Sequence, residues 1–174
     1  CNDADATVYP TADEVAADGV DNNCDSIEWC YEDLDGDGYG TENLVELTDD
    51  GTGGLDCSLV DGMSLNWDDC DDIDSAVNPD GLEVCDGGVD NDCNGLADDD
   101  DSNTDLNTGS TYFLDADGDG YGSSEVMACE QGSLVLVDGD CDDSLATSNP
   151  MATDLAGDSI DQNCDGVDGT DVDG

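Results

Sequence analysis

The chain has 174 residues, of which 49 are Asp or Glu and none is Lys, Arg or His, giving a formal charge of -49. Self-repulsion on that scale opposes a compact state unless cations are bound, and it excludes nucleic acid and anionic membrane surfaces as direct partners. Without His or Lys the usual bases of nucleophilic catalysis are missing, and paired carboxylates able to cleave glycosides would need a shaped cleft, so no enzyme is expected.

Ten cysteines argue against the disorder that acidic composition alone would suggest. With no His and no CxxC pair, they point to disulfides and an oxidising, extracellular or cell-surface setting rather than to zinc. No apolar run approaches the ~20 residues of a membrane span, so membrane insertion is not expected. The chain reads as a mature segment of a longer secreted protein. The expected fold class is a small metal- and disulfide-stabilised repeat protein, mostly irregular calcium loops with short β-hairpins and little helix.

Three segments align without a gap: "CNDADATVYPTADEVAADGVDNNCD", "CDDIDSAVNPDGLEVCDGGVDNDCN" and "CDDSLATSNPMATDLAGDSIDQNCD". Each opens with Cys and carries a second Cys 23 residues later, and the protein's 3 prolines, Pro10, Pro79 and Pro150, share one offset. They define repeat units at 1–26, 70–95 and 141–174, separated by a spacer at 27–69 and by a linker and spacer at 96–140. Calcium takes oxygen ligands from positions 1, 3, 5, 7 and 12 of a twelve-residue loop, position 7 through its backbone carbonyl.

In the first unit that register selects Asp3, Asp5, Thr7, Tyr9 and the closing Glu14, then, further on, Asp21, Asn23, Asp25, Ile27 and Glu32. The following spacer holds an aromatic, β-prone run, "IEWCYEDLDGDGYG", whose turn offers Asp33, Asp35, Asp37 and Tyr39. An apolar run, "NLVEL", follows, and together they predict a small hairpin or meander. The second unit gives Asp72, Asp74, Ala76, Asn78 and Glu83, then Asp90, Asp92, Asn94, Leu96, Asp98 and Asp101 with Gly95 at the sharp turn. The second spacer repeats the pattern as "STYFLDADGDGYG", offering Asp115, Asp117, Asp119 and Tyr121, with "SLVLV" as its later apolar run. The third unit gives Asp143, Leu145, Thr147, Asn149 and Asp154, then Asp161, Asn163, Asp165 and Val167, with Val172 at the closing place.

Neither spacer turn has a closing acid, because Leu44 and Val126 stand at position 12. Such an open loop must borrow a carboxylate from elsewhere in the fold or keep waters, and Asp68, Asp69, Asp138 and Asp140, beside the unit cysteines, are the expected lenders. The turns would then tie a spacer to a unit. The registers together predict about eight Ca²⁺ ions, and oxygen ligands without His or thiolate favour calcium over zinc or copper. The repeat suggests the disulfides Cys1–Cys24, Cys70–Cys93 and Cys141–Cys164. Cys57 and Cys129, at equivalent spacer positions, are assigned to Cys30 and Cys85. Trp29, Tyr31, Trp67, Tyr112 and Phe113 are expected to form small satellite cores, since apolar content is too sparse for one large core.

The units resemble the MopE-type metal-binding repeat, whose DCDD…NP…E.CDG.DNDCDG signature is matched by "DDCDDIDSAVNPDGLEVCDGGVDNDCNG" at 68–95. Its mid-unit cysteine is kept only as Cys85, with Ala16 and Ala156 in the other copies. The DGDGYG turns are similar to the aspartate loops of thrombospondin type 3 repeats. The resemblance implies a secreted or cell-surface bacterial or archaeal protein carrying metal-binding repeats in modular arrays. Some members of that family are associated with copper, whose soft ligands here are limited to Met63, Met127 and Met151. The expected role is a calcium-rigidified structural element (stalk, fibre or filament subunit, or surface layer) whose partners are calcium and itself or neighbouring repeats. A metal-scavenging surface protein or a calcium-dependent adhesin module is the alternative.

Overall fold

The computed structural model describes residues 2–49 and 55–169. Among them, regular structure is confined to five short strands and three single 3-10 turns, with no α-helix. β1 (Ile27–Glu32) pairs antiparallel with β2 (Leu44–Thr48), Tyr31 opposite Leu44, and on its other side with the two-residue β3 (Met63–Ser64). β4 (Ser110–Leu114) pairs antiparallel with β5 (Ser124–Ala128), Leu114 opposite Ser124. No helix among the described residues is long and apolar enough to cross a membrane.

Each spacer thus forms a hairpin, but the second uses a different return strand from the one expected. "SEVMA" at 124–128 pairs along β4, whereas "SLVLV" contributes Val135, which exchanges two backbone hydrogen bonds with Phe113 at 2.8 and 2.9 Å. The reason is chain length: β5 resumes two residues after the DGDGYG turn, so it reaches β4 first.

Two compact units emerge. One comprises the described residues up to Glu83 together with Val89–Ala97; the other comprises Val84–Gly88 together with the described residues from Asp98 onward. The first contains the three-stranded sheet and the disulfides Cys30–Cys57 and Cys70–Cys93. The second contains the two-stranded sheet, Cys85–Cys129 and Cys141–Cys164. All four are pairs named from the sequence. Cys24 is also disulfide-bonded; the expected Cys1–Cys24 pair involves Cys1, which lies outside the described residues, as does Val172.

The interior is inverted relative to an ordinary domain. Among the described residues 6 apolar side chains are buried against 13 polar or charged ones, so burial of hydrocarbon cannot be the main source of stability. On β1 the alternation of a strand puts Glu28 and Cys30 on the inward face, both fully buried, while Trp29 and Tyr31 stay partly exposed. Of the five aromatics assigned to satellite cores, only Tyr112 is buried, and Trp67 is half-exposed beyond β3. Cys30 and Cys57, joined by a disulfide, are wholly buried instead.

Within each repeat unit the shared proline has a direct structural role. Backbone bonds from Ala12 N to Tyr9 O, Gly81 N to Asn78 O, and Ala152 N to Asn149 O, all 2.7–2.9 Å, make Pro10, Pro79 and Pro150 the second residue of a tight turn. Proline's fixed φ suits that position. The residue before each proline also donates across the unit, Tyr9 to Asn22 O, Asn78 to Asn91 O and Asn149 to Gln162 O. Val8, Val77 and Ser148 are buried beneath this crossing.

Candidate metal centres

The second loop of each unit is built on its first aspartate, which uses both oxygens on the backbone. Asp21 accepts from Asp25 N and Ser26 N at 3.0 and 2.8 Å; Asp90 from Asn94 N and Gly95 N at 3.0 and 2.7 Å; Asp161 from Asp165 N and Gly166 N at 3.1 and 2.8 Å. The next two ligand positions each accept from the backbone two residues on. Asn23 receives Asp25 N and Asp25 receives Ile27 N, with Asn94–Leu96 and Asp165–Val167 repeating the second contact. These turns force the carboxylates together.

An acid from the other register joins each loop. Glu14, counted in the sequence as the end of the Asp3 loop, places its oxygens on Asn22 N and Asn23 N at 3.0 and 3.2 Å, within 4.8 Å of Asp21 and Asp25. Glu83, almost wholly buried, receives Asn91 N at 2.7 Å and lies within 4.8 Å of Asp92. Asp154 receives Gln162 N at 3.2 Å, and its Oδ2 is buried without a hydrogen-bond partner. Asn163, Asp165, Val167 and Asp168 line the same recess as Asp154.

Other residues of the sequence registers go elsewhere. Glu32, counted as the closing acid of the Asp21 loop, ends β1 and accepts from Asn43 Nδ2. Asp3 and Asp5 are exposed, and Asp5 is held below the usual carboxylate range by the Thr7 hydroxyl and amide. Tyr9 is half-exposed. Asp74 caps Ala76 N. Asp101, by contrast, is buried and is one of a group of acids that could hold a metal, and Asp98 is buried as well.

The two spacer turns are near-identical. In each, the first aspartate accepts twice from the backbone: Asp33 from Gly36 N and Gly38 N at 2.7 and 3.1 Å, Asp115 from Gly118 N and Gly120 N at 2.7 and 3.0 Å. Asp35 and Asp117 spend Oδ1 on Asp37 N and Asp119 N, while their Oδ2 atoms are buried and have no partner. Asp37 and Asp119 spend Oδ1 on Tyr39 N and Tyr121 N. The three carboxylates of each turn lie within 4.8 Å of one another.

The first-register residues of the following unit meet this turn. Asp72 Oδ1 receives Leu34 N at 2.9 Å, and Asn78 Nδ2 donates to Asp37 Oδ2 at 2.7 Å. In the second copy Asp143 Oδ1 receives Ala116 N at 2.8 Å, and Asn149 Nδ2 donates to Asp119 Oδ2 at 2.8 Å. Of the four expected lenders, Asp69 and Asp140 are buried and each has an unpartnered Oδ2, whereas Asp68 and Asp138 are exposed. Cys141 and Cys164, adjoining Asp140, are joined in a disulfide and offer no thiolate.

Electrostatics agree with this geometry. Burial, followed by the charges of Asp37, Asp69 and Asp33, pushes Asp35 above the usual carboxylate range despite the Asp37 amide. Asp69 is raised by burial and by Asp37, Asp72 and Asp71; Asp117 is raised by burial and by Asp119, Asp140 and Asp115. Each carboxylate thus resists ionisation where no cation balances it. A hard cation would reverse that cost, and the donor set of carboxylate and amide oxygens fits one.

Sequence reasoning missed one class of residue. Glu28 Oε1 receives Ala17 N, Asp98 Oδ1 receives Asp86 N, and Asp168 receives Gly157 N and Ser159 N, tying the mid-unit turn to the loop in all three units. The available signal is an acid seven or eight residues after Asp21, Asp90 and Asp161, outside the ligand register except for Asp98.

No curated protein and no solved structure matches the chain. A family model does: the one described as "Putative metal-binding motif" (Cu-binding MopE) matches residues 1–28, 69–99 and 140–169. Those segments are the three repeat units with their flanking acids, and the turns at 33–39 and 115–121 fall outside them. The disulfides and the family together indicate an extracellular or periplasmic protein that binds metal. With more than half of its length matched, the chain belongs to this MopE-type metal-binding family.

Proposed function

We propose that the protein is a non-catalytic extracellular calcium-binding repeat protein whose ions order and stiffen it as a structural element of a stalk, fibre or surface layer. The observation that carries this reading is the pairing of inward carboxylate oxygens with no positive side chain anywhere in the chain. Calcium suits the clusters because the donors are oxygens on flexible loops, whereas copper would draw on imidazole or thiolate; His is absent and no cysteine among the described residues is free. With so little apolar burial, metal binding and disulfides carry the folding energy.

Circular dichroism and limited proteolysis before and after chelation test the reading. An Asp-cleaving endoprotease is the suitable reagent, because trypsin has no site in a chain without Lys or Arg. Chelation should abolish protection, and added calcium should restore it. A fold that survives complete chelation sinks the structural role and favours an ion store instead.

A further inference from the structure

Each DGDGYG turn and the unit after it meet through the same contacts in both copies. The backbone N–H after the first Asp reaches the unit, as Leu34 N to Asp72 and Ala116 N to Asp143. The unit's Asn reaches back, as Asn78 to Asp37 and Asn149 to Asp119. Asp69 N donates to Gly40 O and Asp140 N to Gly122 O, at 3.1 and 3.2 Å. The intervening chain differs in length, running from 41 to 68 in one copy and from 123 to 139 in the other. A contact kept across a changed connection is specified by its own chemistry.

That chemistry is incomplete as it stands. Asp69 is 9 % exposed and Asp140 is 7 % exposed, and in each the Oδ2 is buried with no hydrogen-bond partner. The facing turn residues, Asp35 and Asp117, are orphaned in the same way. Four buried, unpartnered carboxylate oxygens in two matching pairs, each beside two further aspartates, are costly without a ligand. We propose that a hard divalent cation of calcium's size binds between the Asp33–Asp35–Asp37 turn and Asp69, and a second between the Asp115–Asp117–Asp119 turn and Asp140. Each ion clasps a spacer hairpin to the repeat that follows it.

The clasp rests on the calcium-binding reading and places two ions at composite sites, three of whose four named aspartates lie outside the family's motif. The working module is therefore a spacer plus its following unit, rather than the Cys-to-Cys repeat alone.

Equilibrium dialysis of the intact protein against calcium chloride, with bound ions counted per chain, tests it. D69N and D140N should each lose one ion relative to the parent, and the double variant two. D68N and D138N remove the same charge from exposed neighbours and should keep the full count. Chymotrypsin should cut after Tyr39 in D69N, and after Tyr121 in D140N, at calcium levels that protect the parent. If one variant misfolds, the other copy still reports, and D69E, which retains the carboxylate, should restore the ion. Retention of the parental count in D69N and D140N overturns the clasp, and so does an equal loss in D68N and D138N. A parent that takes up no calcium takes the clasp down together with the reading it rests on.

Discussion

At Glu28, burial and charge both oppose ionisation. The side chain is fully buried on the inner face of β1, and burial, with lesser effects from Asp18 and Glu14, lifts its pKa to about 7 even though Ala17 N donates to it. The unfolded value is lower, so the folded state holds the extra proton between the two. This contribution is fully present below pH ~4.5 and is lost as pH rises through about 7. Glu28→Gln should therefore stabilise the calcium-loaded protein at pH 8 by roughly 1–3 kcal/mol and leave it nearly unchanged at pH 4. Urea unfolding at the two pH values, followed by tryptophan fluorescence, reads the difference. A stabilisation that is equal at both would exclude a buried ionisable group as the cause.

Among the elements, the DGDGYG turn depends on its last glycine in a way its sequence does not advertise. A Cβ at Gly40 would overlap Glu32 O and crowd Ser64 Oγ, and one at Gly122 would overlap Leu114 O and Phe113. These are backbone obstacles, so the chain would have to shift. Gly40→Ala should cost roughly 2 kcal/mol or more. Gly36, by contrast, has open space and a φ of +82°, so Gly36→Ala should cost only about 1 kcal/mol of left-handed strain. Denaturant midpoints in saturating calcium compare the two, and a Gly36→Ala cost above that of Gly40→Ala would reverse the assignment. The turn's aspartates were legible from spacing alone. The acids they meet were legible only as four candidates beside the unit cysteines, and folding chose Asp69 and Asp140, which it buries, over Asp68 and Asp138, which it leaves exposed.

For the whole molecule, cross-links and screening set stability where an apolar core is lacking. Cys30–Cys57 closes 27 residues, worth about 3.5 kcal/mol in the chain-entropy account. The double substitution Cys30→Ala with Cys57→Ala should lower the unfolding free energy by at least that amount, since both sulfurs are wholly buried. Thermal unfolding in calcium with the other disulfides intact measures it. The charge of -49 gives a second expectation. In chelator, small-angle scattering should record a radius of gyration that shrinks as sodium chloride rises and the screening length falls from ~30 Å to ~3 Å. In saturating calcium the same titration should change it little. A salt-insensitive chelated chain would mean that repulsion is not what opposes folding.

Composition and spacing by themselves determined the chemistry of this protein: an anionic, disulfide-linked repeat chain with oxygen ligands, short hairpins and no room for a large core. These are local or additive properties, visible wherever Cys, Pro and Asp recur at fixed offsets. Tertiary structure alone decided how the ligands are shared. Glu14, Glu83 and Asp154 join the second loop of each unit, because the proline turn folds the first register back across it. Asp72, Asn78, Asp143 and Asn149, freed from a loop of their own, serve the spacer turn before them. A twelve-residue register assumes that each loop supplies its own last ligand. In a chain this rich in aspartate the nearest carboxylate in space need not be the nearest in sequence, and backbone turns choose between them.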